Sequence, residues 1–145
     1  MIIREAEKQN LSILAELSCR LWPHHTADEM LAAYGVGIDN PDAAFFLAYG
    51  EETAVGFAQC QLRRDYVEGT DSSPVGYLEG IYVMPEHRYE GIARGLLAAC
   101  ENWAKGKGCS EFASDCELTN MDSLRFHLNV GFAEANRIIC FTKRL

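Results

Sequence analysis

The sequence predicts one α/β domain built around a mixed sheet. Strand-like and helix-like periodicities follow one another in the order strand, two helices, three strands, helix, strand, helix, closing strand pair. The sharpest junction lies in residues 77–100, where a β-branched and aromatic run feeds a glycine-bearing turn and then a helical apolar stripe. The chain has 145 residues, 48% hydrophobic and 23% charged, the size and balance of a single domain with its own core.

Each element has a local reason. Residues 2–6 read as a first strand. Asn10 is expected to cap a helix reaching about Leu21, with Leu11, Leu14, Leu17 and Leu21 on one face. Trp22-Pro23-His24-His25 breaks it. Thr26-x-x-Glu29 has the form of a capping box for a second helix to about Tyr34, which Gly35 and Gly37 are expected to end. Residues 43–49 and 54–64 read as antiparallel strands about a Gly50-Glu51-Glu52 turn, and 65–75 as a polar loop. Residues 76–83 read as the central strand. The helix after it carries Ile92, Leu96, Cys100 and Trp103 in one stripe, runs to about Lys105, and stops at Gly106 and Gly108. A strand over 110–116, a helix over 120–129 and strands over 132–135 and 137–143 complete the chain. No repeat, linker or low-complexity tract divides it.

The strand–turn–helix junction carries chemistry. A helix N-terminus presents unpaired N–H groups and the positive end of its dipole, which together bind phosphate. Gly91 and the small Ala93 let a pyrophosphate come close to that backbone. Arg88-x-x-Gly91-x-Ala93, preceded by Ile81-Tyr82-Val83-Met84-Pro85 and followed by Asn120, Ser123 and Gly131-Phe132, resembles the signature of the GNAT superfamily of acetyl-CoA-dependent N-acetyltransferases. The resemblance implies that family's fold: a central, mixed, mostly antiparallel sheet with splayed fourth and fifth strands and flanking helices. It implies acetyl-CoA as cosubstrate, bound by Ile81, Tyr82, Val83, Arg88, Tyr89, Glu90, Gly91, Ile92, Ala93, Arg94 and Asn120. Glu90 is an acid beside an expected pyrophosphate, so its side chain is expected to point to solvent.

A second set of matches spans nearly the whole chain. Trp22-Pro23, Asp65-Tyr66-Val67-x-Gly69, Ser72-Ser73-Pro74-Val75, Leu78-Glu79-Gly80-Ile81 and Ala113-Ser114-Asp115 are similar to the aminoglycoside 6′-N-acetyltransferases. That likeness places an acceptor site at Trp22, Tyr66, Glu79 and Asp115. It adds Asn136, where relatives often carry an acid. The residues agree with it. Glu79 and Asp115 stand on expected central strands, where an unpaired charge is costly and is kept for a purpose. Acids also crowd the neighbourhood: Asp65, Glu68, Asp71, Glu79 and Glu86 occur with no Lys or Arg among residues 65–86. Such a cleft concentrates a polycation, and Trp22 and Tyr66 offer flat faces to a sugar ring. Direct transfer in a ternary complex is expected, with Glu79, or else Asp115, taking the ammonium proton. His127 is expected to protonate the departing thiolate, or else to serve as a structural donor. Another small-amine or peptide acetyltransferase, and a non-catalytic acyl-CoA sensor, stay open as alternatives.

Composition narrows the rest. A net charge of −8 argues against nucleic acid, and no apolar run is long enough to span a membrane. Six scattered cysteines have no pairing or zinc spacing with the four histidines, so no metal is expected. A cytoplasmic protein is expected, and, by the family likeness, a homodimer.

Overall fold

A computed structural model describes residues 1–145. One five-stranded sheet runs in the order β1 (Ile2–Glu5), β2 (Ala43–Gly50), β3 (Thr53–Arg63), β4 (Val75–Val83), β5 (Phe112–Ser114). The first three pairings are antiparallel and β4–β5 is parallel, the mixed and mostly antiparallel sheet that the residue pattern predicts. Helices α1 (Leu11–Leu21) and α2 (Ala27–Gly37) precede β2; α3 (Ile92–Gly106) crosses from β4 to β5; α4 (Met121–Asn129) follows β5.

The sheet is buried on both faces, and the period of two in β2 sorts its side chains between them. Phe45 and Leu47 join Leu14, Leu17, Met30 and Tyr34 in one core, under α1 and α2. Phe46 and Ala48 join Leu78, Ile92, Leu96 and Cys100 in the other, under α3. Leu14 and Leu17 are fully buried, worth about 1.5–3 kcal/mol each. The exposed Arg20–Glu16 pair on the same helix is worth about 0.3–0.5 kcal/mol, so packing decides where α1 sits.

Four local expectations need correction. Asn10 does not cap α1; its Oδ1 accepts from the Glu7 N–H at 2.9 Å and closes a 3-10 turn over Lys8–Asn10. Thr26 does cap α2, accepting from the Glu29 N–H, but Glu29 bonds His25 instead of completing the box. Gly35 and Gly37 lie inside α2 rather than ending it. Tyr34 packs edge-on to Phe45 at 4.8 Å, and Gly37 lies so close to the same ring that an added Cβ would meet it at 3.2 Å. That packing outweighs the cost of glycine in a helix. The largest difference is at the C-terminus. The strands expected over 132–135 and 137–143 are absent, and residues 133–145 are exposed and irregular. They meet no open sheet edge within their own chain, and a strand without a partner does not persist.

Candidate acceptor and cofactor site

The site is organised by two irregularities in β4. The first is a bulge. Gln59 faces Gly80 and Cys60 faces Leu78, so Glu79 is the extra residue with no partner across the ladder. Bulges re-aim a side chain and cluster beside active sites. The second is the end of the β4–β5 pairing. Three rungs, Gly76–Phe112, Tyr77–Ala113 and Leu78–Ser114, join the strands. Beyond them β4 continues through Val83 paired only with β3, and the chain after Ser114 departs from it. This parting gives the splay, and it shortens the strand expected over 110–116 to three residues.

On the acceptor side the structure gathers most of the expected residues. The Trp22 indole, at the end of α1, lies against Gly80; an added Cβ there would meet it at 2.6 Å, so a side chain at 80 is excluded. Trp22 also packs edge-on to Phe57. Glu79 accepts from Arg63 on β3, with Nη2 to Oε1 at 2.8 Å and Nε to Oε1 at 3.1 Å. Asp115, just past β5, accepts from the Tyr77 hydroxyl. Burial, and then this bond to Asp115, push the Tyr77 phenol well above its ordinary range. Tyr66 is 77% exposed on the loop between β3 and β4, next to Val67, which anchors the loop against Val75 and Tyr77. Glu111 fixes the far end of that loop by accepting from the Asp71 N–H and the Ser72 hydroxyl. Asn136 donates to Glu68 at 3.0 Å, and Ala135 crowds Gly69, whose φ of +81° suits glycine. The C-terminal segment is thereby tied across the acidic loop.

On the cofactor side, Gly91 caps α3 in the left-handed conformation with φ 81°, and no atom lies within 4 Å of where its Cβ would be. The first backbone bond of α3 runs from the Gly95 N–H to the Gly91 carbonyl, so the amides at 91–94 have no partner of helical type. Tyr89 is fully exposed, also with positive φ. Arg88 turns back to donate to the Val83 carbonyl at 2.9 Å and holds the loop to the end of β4. Glu90 is exposed, as expected. Ile92 is buried and Ala93 half-buried, while Arg94 donates to the Asn129 carbonyl and ties α3 to α4. Asn120 caps α4, its Oδ1 accepting from the Ser123 N–H at 3.1 Å. Ile81 and Tyr82 are half-buried and Val83 buried, on the stretch of β4 that has no β5 partner.

His127 is engaged at both nitrogens. Nδ1 donates to the Ser123 carbonyl at 2.7 Å, and Nε2 meets the Ser114 hydroxyl at 2.7 Å. It joins α4 to β5 at the point where the strands part. The neighbouring Cys60 thiol, and then burial, push Cys100 far up, and burial raises Cys109, so the thiolate is disfavoured at both. Sequence reasoning missed three residues of this arrangement, Arg63, Tyr77 and Ser114. Arg63 left a trace, since it closes a strand and with Arg64 precedes a long acidic stretch, residues 65–86, that has no base of its own. Tyr77 and Ser114 left none beyond adjacency.

The model of the acetyltransferase (GNAT) family matches residues 8–132. Aminoglycoside N(6′)-acetyltransferase type 1 of Salmonella enteritidis is 42% identical over 144 residues, 99% of each chain. The enzyme of that name from Acinetobacter haemolyticus is 37% identical over 145 residues, all of this chain and 99% of the other. Among solved structures, AAC(6′)-Iy in complex with the bisubstrate analogue CoA-S-monomethyl-acetylneamine superposes with a TM-score of 0.96 at 41% identity, covering 99% of this chain and 98% of the other. AAC(6′)-Ih from Acinetobacter baumannii superposes with a TM-score of 0.95 at 39% identity, over 99% and 98%.

Proposed function

The chain belongs to the acetyltransferase (GNAT) family, and from that premise we propose that it transfers acetyl from acetyl-CoA to the 6′-amine of aminoglycoside antibiotics, giving resistance to them. The observation that carries this reading is the placement of two acids, Glu79 on a bulge and Asp115 just past the parting of β4 and β5, linked through Arg63 and Tyr77. The named activity of the full-length relatives, and the CoA analogue in AAC(6′)-Iy, support it.

The residues present suit acetyl-CoA. The open backbone cradle at Gly91 and the amides through Arg94 receive pyrophosphate, and Tyr89 and Glu90 lie on its approach. Ile81 and Val83 offer free strand edge to the pantetheine amides, and Asn120 faces the cofactor from α4. Trp22 and Tyr66 hold the sugar, while Glu79 and Asp115 hold its ammonium groups, with Asn136 at the rim. Glu79, directly or through water, takes the proton from the attacking amine. The nitrogen then attacks the thioester carbonyl, the C–S bond breaks, and coenzyme A leaves as a thiolate. In its imidazolium form His127 returns a proton to that sulfur through the Ser114 hydroxyl, which gives up its own proton and takes one from Nε2. Transfer is direct, with no acetyl-enzyme, and positioning supplies much of the acceleration.

We further place the protein in the cytoplasm and read it as a homodimer. The support for a dimer is the C-terminal segment: Ile138, Ile139 and Phe141 are exposed, in a sequence with strand character that finds no partner in its own chain.

Thiol release from acetyl-CoA, measured with kanamycin and tobramycin beside spermidine and a lysine peptide, tests the activity. Turnover with the aminoglycosides and intersecting double-reciprocal lines are expected. Turnover with spermidine or the peptide alone would reassign the acceptor, and no turnover with any would make the protein a sensor.

A further inference from the structure

Both acids of the acceptor site are occupied by the protein itself. The Arg63 guanidinium contacts both Glu79 oxygens, with Nη2 at 2.8 Å from Oε1 and 3.1 Å from Oε2, and Nε at 3.1 Å from Oε1. It also lies 3.4 Å from the centroid of the Tyr77 ring. Tyr77 in turn donates to Asp115. One protein cation therefore stands on the first acid and against the ring that reaches the second. Its sequence neighbour, Arg64, is taken up by Asp42. The Arg63 and Glu79 side chains are 37% and 21% exposed, so an incoming cation can reach the pair from solvent.

We propose that Arg63 is a specificity-determining residue of the acceptor site, a resident cation that the acceptor ammonium displaces from Glu79. The proposal rests on the acetyltransferase reading above. A carboxylate offers about four acceptor positions, and three Arg63 contacts use most of them. A single ammonium would exchange a forked, charge-assisted contact for a simpler one and gain little. An acceptor with several ammonium groups gains elsewhere, at Asp115. Its first contact raises the effective concentration of the next. Arg63 thus sets a floor that polycations clear and monoamines do not. The exchange also frees Glu79 to act as proton acceptor at the moment the amine arrives.

Arg63→Gln removes the occupant, and Arg63→Lys keeps its charge without the fork. Acceptor affinity is measured by calorimetry in the presence of CoA, with kanamycin as polycation and 6-amino-6-deoxyglucose as monoamine. Arg63→Gln is expected to bind kanamycin about three- to tenfold tighter and to lower its KM without raising kcat, with monoamine binding becoming measurable. Arg63→Lys, which keeps the charge and loses the fork, is expected to bind kanamycin with an affinity between those of the parent and Arg63→Gln. Acetyl-CoA affinity reports that each variant is folded. Weaker or unchanged kanamycin binding by a folded Arg63→Gln protein overturns the proposal. The unmutated protein gives an independent reading: the Arg63 Nε–H resonance, assigned with Arg63→Lys, is expected to lose its protection as kanamycin is added. Its persistence at saturation also overturns the proposal, even where Arg63→Gln fails to fold. If the parent does not bind kanamycin, the aminoglycoside reading falls. Spermidine then serves as the polycation in the same two measurements, and Arg63 is judged on those.

Discussion

At Glu79 the backbone has one residue more than its partner strand, and that surplus points a carboxylate at Arg63. Glu79→Gln keeps the shape and removes the proton acceptor. Its kcat is expected to fall by ~10²–10⁴-fold with acetyl-CoA affinity retained; an unchanged kcat would move the base to Asp115 or to solvent. Gly91 is a different kind of residue, valued for its φ of 81° and for the open space where a side chain would stand. Gly91→Val forces a β-branched residue into the left-handed region and fills the cradle. Acetyl-CoA affinity is expected to drop at least tenfold by calorimetry, since strain of this kind costs of order 1–3 kcal/mol. Glu79 was legible in the sequence as a charge within an apolar strand, whereas Asp115, expected inside a strand, lies just past β5. Arg63 and Tyr77 were not legible, because which side chains meet depends on register, and nothing in the residue types announces a one-residue bulge.

Among the elements, those with a strong apolar period were legible almost to the residue: β2, β3, β4, α1, α3 and α4. The errors fall where tertiary contacts override local preference, as with the glycines of α2 under Phe45, or where a strand depends on a partner. β5 is short because its neighbour leaves it, and the C-terminal strands fail because their segment pairs with no strand of its own chain. Phe132 still packs against Phe112, at 6.3 Å between ring centroids, so the fold proper ends there. Deleting residues 133–145 is expected to lower the light-scattering mass of the proposed dimer to that of a monomer, while the two cores keep their cooperative thermal transition. A truncated protein that stays dimeric would place the interface elsewhere.

Over the whole molecule, which carries a net charge of −8 at pH 7, several carboxylates are kept ionised to lower pH by donors of the fold. The Ser72 hydroxyl and then the Asp71 N–H hold Glu111 below its ordinary 4.5. Arg64 does the same for Asp42, His25 for Glu29 and Arg137 for Glu134. A carboxyl whose folded value is depressed contributes stability above its unfolded value and loses it as pH falls through the folded one. The thermal midpoint is therefore expected to hold above about pH 5 and to decline below it. Glu111→Gln is expected to shallow that decline; an identical acid limb would show that Glu111 does not take part in it. The acidic bias was legible from composition. Which acids are structural clamps and which face the acceptor was not, because both kinds look alike until their donors are placed.

Three rungs are all that ladder β5 to β4 before the two part. α4 is attached mainly through side chains, His127 to Ser114 and Arg94 to the Asn129 carbonyl. Amides in such a margin open more readily than those of β2 and β3, which lie in the middle of the sheet with both faces covered. A ligand lying in the gap replaces the missing rungs. Deuterium uptake at β5 and α4 should therefore slow when acetyl-CoA is added, while β2 and β3, already slow, change little. Equal slowing throughout the chain, or none at β5, would mean that the cofactor does not bridge the parted strands.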